Sequence, residues 1–265
     1  MKIKFYKYQG VGNDFILIDN REKIALELTA QHIQKMCDRH FGIGADGLML
    51  MNEKEGFDFE MIYFNADGKE GSMCGNGGRC IVQFAFNKGI KKNKYTFLAT
   101  DGVHKAKIDL DKKVSLEMKD VSDVEFSLDH YVLNTGSPHY VKFVSIADEI
   151  NVVAEGRKIR NSKEFAEKGI NVNFVQTVDD DHIYVRTYER GVENETLSCG
   201  TGVTASALMA AHNENGFNHV DVKTKGGNLS VEFDKISDSE FKNIWLSGPA
   251  TFVFSGEYEI KESNV

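Results

Sequence analysis

The sequence predicts a mixed fold of strands and helices built twice over, with strands wrapped around one central helix in each copy. Three observations lead there. Most of the 265 residues fall into short alternating segments separated by Gly, Asn and Asp, which read as strands of four to seven residues. Helical patterns are few. Two glycine-opened apolar helices then match each other at a fixed distance along the chain.

The strand segments include 2–6, 15–19, 57–63, 94–99, 104–110, 113–118, 130–134, 183–189 and 229–233. Thr29 is a plausible N-cap for a helix over 30–39, and short helices are expected at 145–151 and 163–167. The matched pair follows Cys74 (GNGGRCIVQFAFNKG) and Cys199 (GTGVTASALMAAHNENG). Each opens with C-G-x-G, continues through apolar and small residues, and reaches a glycine suited to C-capping, Gly89 or Gly216. Helices apolar almost all round belong in a domain interior.

The match extends upstream at a constant offset of 125 residues, pairing Tyr63 with Tyr188, Glu70 with Glu195, Cys74 with Cys199, Gly75 with Gly200, Gly77 with Gly202 and Ala85 with Ala210. Six identities in 23 positions exceed the one or two that ordinary residue frequencies give. A chance likeness between two buried helices is the plain alternative. Duplication explains more, and it divides the chain into an N-terminal half, 1–119 with 250–265 returning to it, and a C-terminal half, 120–249.

A net charge of −8 argues against nucleic acid or an anionic membrane as main partner. The sequence contains no stretch near the ~20 apolar residues that span a bilayer, and the N-terminus lacks a signal-peptide pattern. A cytoplasmic protein is expected. Its four cysteines, 37, 74, 80 and 199, are then reduced thiols, and their spacing does not suggest a zinc site. Cys37 and Cys80 read as buried small hydrophobes.

Cys74 and Cys199 read differently. A cysteine just before a G-x-G helix start lies beside exposed N–H groups and the positive end of the helix dipole, which favours thiolate. The same N–H groups, here of Gly75, Asn76, Gly200 and Thr201, bind carboxylates. If the two thiols converge on one ligand, one can remove an α-proton and the other deliver one to the opposite face. The N–H groups would stabilise the carboxylate as the carbanion develops. There is no P-loop, no full G-x-G-x-x-G and no recognisable pyridoxal-lysine context, so no cofactor and no metal are expected.

The motifs FNADGKEGSMCGNGGRC (64–80), NVNFVQ (171–176) and YERGVENETLSCGTG (188–202), with GVGNDF (10–15), resemble diaminopimelate epimerase, in order and over essentially the whole chain. The resemblance implies an α+β fold of two pseudo-symmetric halves, each a mainly antiparallel curled sheet around a central helix. It implies cofactor-independent epimerisation of LL-2,6-diaminopimelate to meso-diaminopimelate, to which both halves contribute, within lysine biosynthesis. Cys74 and Cys199 are similar to the family's catalytic thiols, with His139 as the partner of Cys74 and Glu189 as the partner of Cys199 in proton handling. Taken alone, those two would be a turn histidine and a solvated strand charge. Asn13, Asn65, Asn171 and Arg190 match substrate-binding positions, the last three chiefly for the distal amino-acid end. Two departures bear on selectivity. Ser137 stands where many members have Asn, and the segment 191–198 looks one residue longer than usual.

Other readings remain open: a proline-type or histidine racemase on the same fold, a redox protein cycling a Cys74–Cys199 disulfide, or a non-catalytic anion-binding module. Asn76 in CGNG, with the set Asn65, Asn171 and Arg190, favours diaminopimelate. The expected partner is a small-molecule substrate. A homodimer is compatible with a sequence that does not fix the oligomeric state.

Overall fold

The structure is a computed structural model that describes residues 2–25, 27–71, 73–212 and 214–260. The chain divides into two units, Met1–Leu116 with Pro249–Val265, and Glu117–Gly248.

Unit 1 begins with a hairpin of β1 (Lys2–Gly10) and β2 (Asn13–Asp19). The turn residues Val11 and Gly12 both have positive φ, 49° and 86°, as the tight turns whose twist suits a hairpin require. Helix α1 (Ala30–Cys37) follows its expected cap, with Thr29 accepting from the His32 N–H and His32 Nδ1 accepting from the Thr29 N–H. Then come β3 (Gly47–Asn52), β4 (Glu60–Asn65), β5 (Glu70–Gly71), α2 (Gly75–Asn87), β6 (Lys94–Ala99), β7 (Gly102–Ile108) and β8 (Val114–Glu117).

Unit 2 repeats this order. Its elements are β9 (Val124–Phe126), β10 (Tyr131–Asn134), β11 (Pro138–Phe143), α3 (Val152–Arg160), β12 (Asn171–Thr177), β13 (His182–Glu189), β14 (Asn194–Thr196), α4 (Gly200–Met209), β15 (Gly216–Thr224), β16 (Gly227–Lys235) and β17 (Phe241–Gly248). The final strand, β18 (Thr251–Glu259), pairs with β1 in unit 1 as β9 pairs with β10 in unit 2.

The pairings correspond strand for strand. Among the described residues two pairings in each unit are parallel, β2 with β3 and β4 with β6, or β11 with β12 and β13 with β15. The others are antiparallel. Helix α2 touches β1, β2, β3, β7 and β18, and α4 touches β10, β11, β12, β13, β15, β16 and β17, so each sheet curls around its own helix. Every residue of α2 from Gly75 to Ala85 is buried, as its apolar sequence requires. The fold is α+β, two pseudo-symmetric halves each built as a mainly antiparallel curled sheet around a central helix.

One register differs between the copies. Tyr63 lies opposite Gly71, whereas Tyr188 lies opposite Glu195, one residue short of the matching position. The unit 2 turn holds both Gly191 and Glu193 at positive φ. A one-residue slip reverses the facing of a strand residue, and the matched glutamates have diverged accordingly. Glu70 is exposed and accepts from Thr100 Oγ1, while Glu195 is half-buried and takes both ends of the Arg186 fork.

Three local expectations change. Residues 163–167 form turns rather than a helix, and in 145–151 the regular part is one 3-10 turn, Ala147–Glu149. The helix of this region is α3, because Asn151 is its N-cap, accepting from the Ala154 N–H. Gly89 follows α2 with φ 96°, as a C-capping glycine does, but α4 stops at Met209 and Gly216 opens β15 instead. There the chain leaves the helix at its cap Ala210, and the His212 N–H bonds Asn218 Oδ1.

Candidate active-site residues in each unit

In unit 1, Cys74 is the N-cap of α2, in extended conformation, and its carbonyl accepts the first helical bond from Gly78. The N–H groups of Gly75 and Asn76 therefore belong to the orphan donors of a helix start. Gly77 lets the helix lie against the sheet: a Cβ there would meet Met49 Cε at 2.3 Å. The hairpin turn delivers Asn13 to this helix end. Val11, a buried β-branched residue at φ 49°, carries strain of about 1–3 kcal/mol there, two residues before Asn13.

Cys74 Sγ donates to Asn13 Oδ1 at 3.5 Å, and Asn76 Nδ2 reaches the same oxygen at 3.4 Å. Asn13 Nδ2 donates to Asp46 Oδ2 at 2.5 Å. A carboxylate can only accept, so Asp46 turns the Asn13 amide and leaves its oxygen facing the thiol. Asp46 is held by Arg39, which also binds Asp14, and Lys7 pairs with Asp14 at 2.7 Å. Burial alone would raise the Asp14 carboxyl, but Arg39 and Lys7 hold it down at about 2. Asn65 is exposed at the end of β4, with its Nδ2 2.9 Å from where a Cβ on Gly71 would sit.

In unit 2, Cys199 is the N-cap of α4, and its carbonyl accepts from Val203. Its Sγ lies 3.5 Å from Thr201 Oγ1, which in turn lies 2.8 Å from His139 Nε2. On the far side of the ring, His139 Nδ1 meets Asn173 Nδ2 at 3.1 Å. Asn173 Nδ2 also donates to the Tyr140 carbonyl and its Oδ1 accepts from Thr187, which fixes the amide. Nδ1 is thus an acceptor and Nε2 carries the proton, donated to Thr201. The Thr201 hydrogen is then available to Cys199. His139 is wholly buried, and burial, with the Arg190 charge added, pushes it down to about 3. It is a neutral donor.

Glu189 ends β13, half-buried, and its carbonyl accepts from the Glu193 N–H. Arg190 follows it and is exposed; its Nη1 donates to the Lys168 carbonyl. Gly169, at φ 69°, leaves room for this side chain, since a Cβ would come within 2.7 Å of Arg190 Cδ. Asn171 is buried and bonded at both ends of its amide. Its Nδ2 donates to Ser137 Oγ and the Pro138 carbonyl, and its Oδ1 accepts from the Arg190 N–H. Ser137, at the usual Asn position, is therefore tied to Asn171.

The structure gathers Asn13, Cys74, Gly75 and Asn76 at one helix start, and His139, Cys199, Gly200 and Thr201 at the other. Cys37 and Cys80 are buried thiols, pushed up to about 12 by desolvation. Sequence reasoning missed Asp46, Arg79 and Asn173. Asn173 had a signal, since two residues along a strand from Asn171 it shares that residue's face. So did Arg79, a lone charge inside an apolar helix.

Among the described residues, no helix is long and apolar enough to cross a membrane. The family profile described as Diaminopimelate epimerase matches residues 5–124 and 131–253. The diaminopimelate epimerase of Flavobacterium psychrophilum is 50% identical over 95% of this chain and 98% of its own. That of Chlorobaculum tepidum is 44% identical over 93% and 98%. Among solved structures, a Bacillus anthracis phenazine biosynthesis protein of the PhzF family superposes with a TM-score of 0.74 at 17% identity, covering 98% of this chain and 100% of its own. A hydroxyproline epimerase from Agrobacterium vitis does so at 0.67 and 12%, covering 99% and 94%. These two share the fold. On the family profile and the two close relatives, this chain belongs to the diaminopimelate epimerase family.

Proposed function

We propose that the chain epimerises LL-2,6-diaminopimelate to meso-diaminopimelate with Cys74 and Cys199 as the two acid/base groups, without a cofactor. The observation that carries this is the repeated one. At matching positions in the two units, a cysteine caps the start of a buried glycine-opened helix.

In the proposed reaction one thiolate takes the α-proton, so a C–H bond breaks and an S–H bond forms. The opposite thiol then gives its proton to the other face of the carbon, leaving a thiolate there. The two sulfurs have exchanged protonation states, and proton exchange with water resets them. The N–H groups of Gly75, Asn76, Gly200 and Thr201 hold the substrate carboxylate while negative charge builds on it. His139, which the resemblance pairs with Cys74, is a neutral Nε2–H donor that supports Cys199 through Thr201, and Glu189 serves proton handling at Cys199. Asn65 and Arg190 take the distal amino-acid end, the guanidinium binding a carboxylate through two N–H groups. Asn171 supports the clamp by fixing the Arg190 backbone.

This reading sets the protein in lysine and peptidoglycan-precursor synthesis in a bacterial cytoplasm. For assembly we adopt a homodimer, which the half-exposed Phe252, Val253 and Phe254 on the outer strand β18 support; sedimentation analysis tests it. For the reaction, reduced protein in deuterium oxide should convert LL-diaminopimelate to the meso form with deuterium at one α-carbon. No exchange on that substrate, with exchange on free proline or histidine, would replace the substrate assignment.

A further inference from the structure

Arg190 lies in the turn between β13 and β14, and side chains hold the peptide groups on both sides of its Cα. The Arg190 N–H donates to Asn171 Oδ1 at 2.9 Å, and the Gly191 N–H donates to Glu193 Oε1 at 3.1 Å. The Glu189 carbonyl, in the same peptide group as the Arg190 N–H, accepts from the Glu193 N–H at 2.8 Å. Planar peptide groups leave a residue only its φ and ψ, so the backbone at Arg190 is set by Asn171 of β12 and by Glu193 of the turn itself.

Glu193 is itself anchored. Tyr188 Oη donates to its Oε2 at 2.9 Å, and Arg160 Nε donates to its Oε1 at 3.3 Å. Tyr188 is wholly buried beneath α3, where a Cβ at Gly156 would meet Tyr188 Cβ at 2.4 Å. Arg160 is the last residue of α3. A Cβ at Gly169 would meet Arg190 Cδ at 2.7 Å and Arg160 Cζ at 2.8 Å, so the two arginines share the space this glycine leaves. The Gly191 N–H holds the Glu193 carboxyl below its usual range, which keeps it an acceptor at neutral pH.

Glu193 also adopts φ 56°, a conformation that side-chain-bearing residues rarely take. The matching position in unit 1, 125 residues earlier, is Gly68 at φ 83°. Gly68 lies so close to α1 that a Cβ there would fall 2.2 Å from the Ala30 carbonyl oxygen. Unit 1 therefore requires a glycine in this turn. Unit 2 holds a glutamate against its backbone preference, and its side chain reaches back to the peptide group after Arg190. Such an outlier points to a role for the side chain.

We propose that Glu193 is a positioning residue for substrate selection: its carboxylate, tied to Tyr188 and Arg160, fixes the Arg190–Gly191 peptide group and so aims the Arg190 guanidinium at the distal carboxylate. This rests on reading Arg190 as the group that binds that carboxylate. The test measures kcat and KM with LL-diaminopimelate for the full-length wild type, Glu193→Gln, Glu193→Ala, Arg190→Lys and the Glu193→Ala/Arg190→Lys double variant, with folding checked by circular dichroism.

Glu193→Ala should raise KM roughly tenfold and leave kcat within about twofold, the pattern of lost uniform binding. Glu193→Gln keeps an oxygen for the Gly191 N–H and an amide that can donate to the Tyr188 hydroxyl, so its KM should stay within about twofold of wild type. Arg190→Lys loses the fork and should raise KM at least as far. Adding Glu193→Ala to it should then change KM by less than about twofold, because the two residues act through one group. A fall in kcat at unchanged KM in Glu193→Ala, no recovery in Glu193→Gln, or a full further rise in the double variant overturns the proposal. Should Glu193→Ala not fold, Tyr188→Phe decides: KM should rise several-fold, and an unchanged KM rejects it. If Arg190→Lys keeps the wild-type KM, the clamp reading fails and this proposal with it. A raised KM in Arg190→Lys beside an unchanged one in Glu193→Ala rejects the role of Glu193 alone.

Discussion

Asn173 donates its side-chain amide to His139 Nδ1 at 3.1 Å, and by doing so it decides where the imidazole carries its proton. The ring can then only donate from Nε2, towards Thr201 and, through that hydroxyl, towards Cys199. Replacing Asn173 by Leu should remove this choice and leave a buried ring nitrogen unsatisfied. The expected outcome is a stability loss of about 1–3 kcal/mol and turnover lower by roughly 10- to 100-fold. Nitrogen-15 shifts of the His139 ring would show an Nε2–H tautomer in the wild type and a mixture in the variant.

Because burial holds His139 at about 3, against 6.5 for an unburied ring, the unfolded chain takes up a proton that the folded chain refuses. The sign follows from linkage: this part of the stability is fully present above pH 6.5 and is lost as pH falls towards 3. Denaturation midpoints should decline from pH 6.5 to 4.5, before most carboxylates titrate, and His139→Gln should flatten that decline. The pH–rate profile should show no limb from His139 between pH 5 and 8. A midpoint equally flat in wild type and variant would show that the ring already ionises in the folded protein.

The two central helices should respond differently to one added methyl group. A Cβ at Gly202 would fall 2.3 Å from Asn173 Oδ1, inside the His139 network, whereas one at Gly77 would meet the flexible end of Met49. Gly202→Ala should therefore lose about 1–3 kcal/mol by overpacking and most of its activity. Gly77→Ala should lose less of both. Thermal melts and initial rates of the two variants check this.

Much of this was legible in the sequence where the signal is local. The C-G-x-G starts of α2 and α4, the Thr29 cap and the alternating segments of β1 and β2 all sit within a few residues of what causes them. Helix α3 was misplaced because Asn151 looks like the end of a helix but acts as the start of the next. Asp46 and Asn173 were missed because their partners, Asn13 and His139, lie more than thirty residues away. Only the sheet brings them together. The slip of register at Tyr188 was hidden too, since the 125-residue offset holds through the turn while the pairing does not.

Ser137 offers a test of how the clamp is held. Its hydroxyl takes one Asn171 amide hydrogen, and Asn171 in turn holds the Arg190 backbone. Ser137→Ala should leave that hydrogen unsatisfied and loosen Arg190, raising KM several-fold while kcat changes little, the mark of lost uniform binding. Steady-state kinetics with LL-diaminopimelate distinguish this from a fall in kcat, which would place Ser137 nearer the reacting carbon.

The central claim is that two thiols, one in each unit, handle the proton on opposite faces. It is tested most directly by the isotope content of both substrate and product at low conversion in deuterium oxide. The account predicts meso-diaminopimelate already carrying solvent deuterium at the inverted carbon, beside recovered LL-diaminopimelate that still carries protium. Product retaining the substrate's own proton, with deuterium appearing in the recovered substrate, would mean a single base and would contradict it.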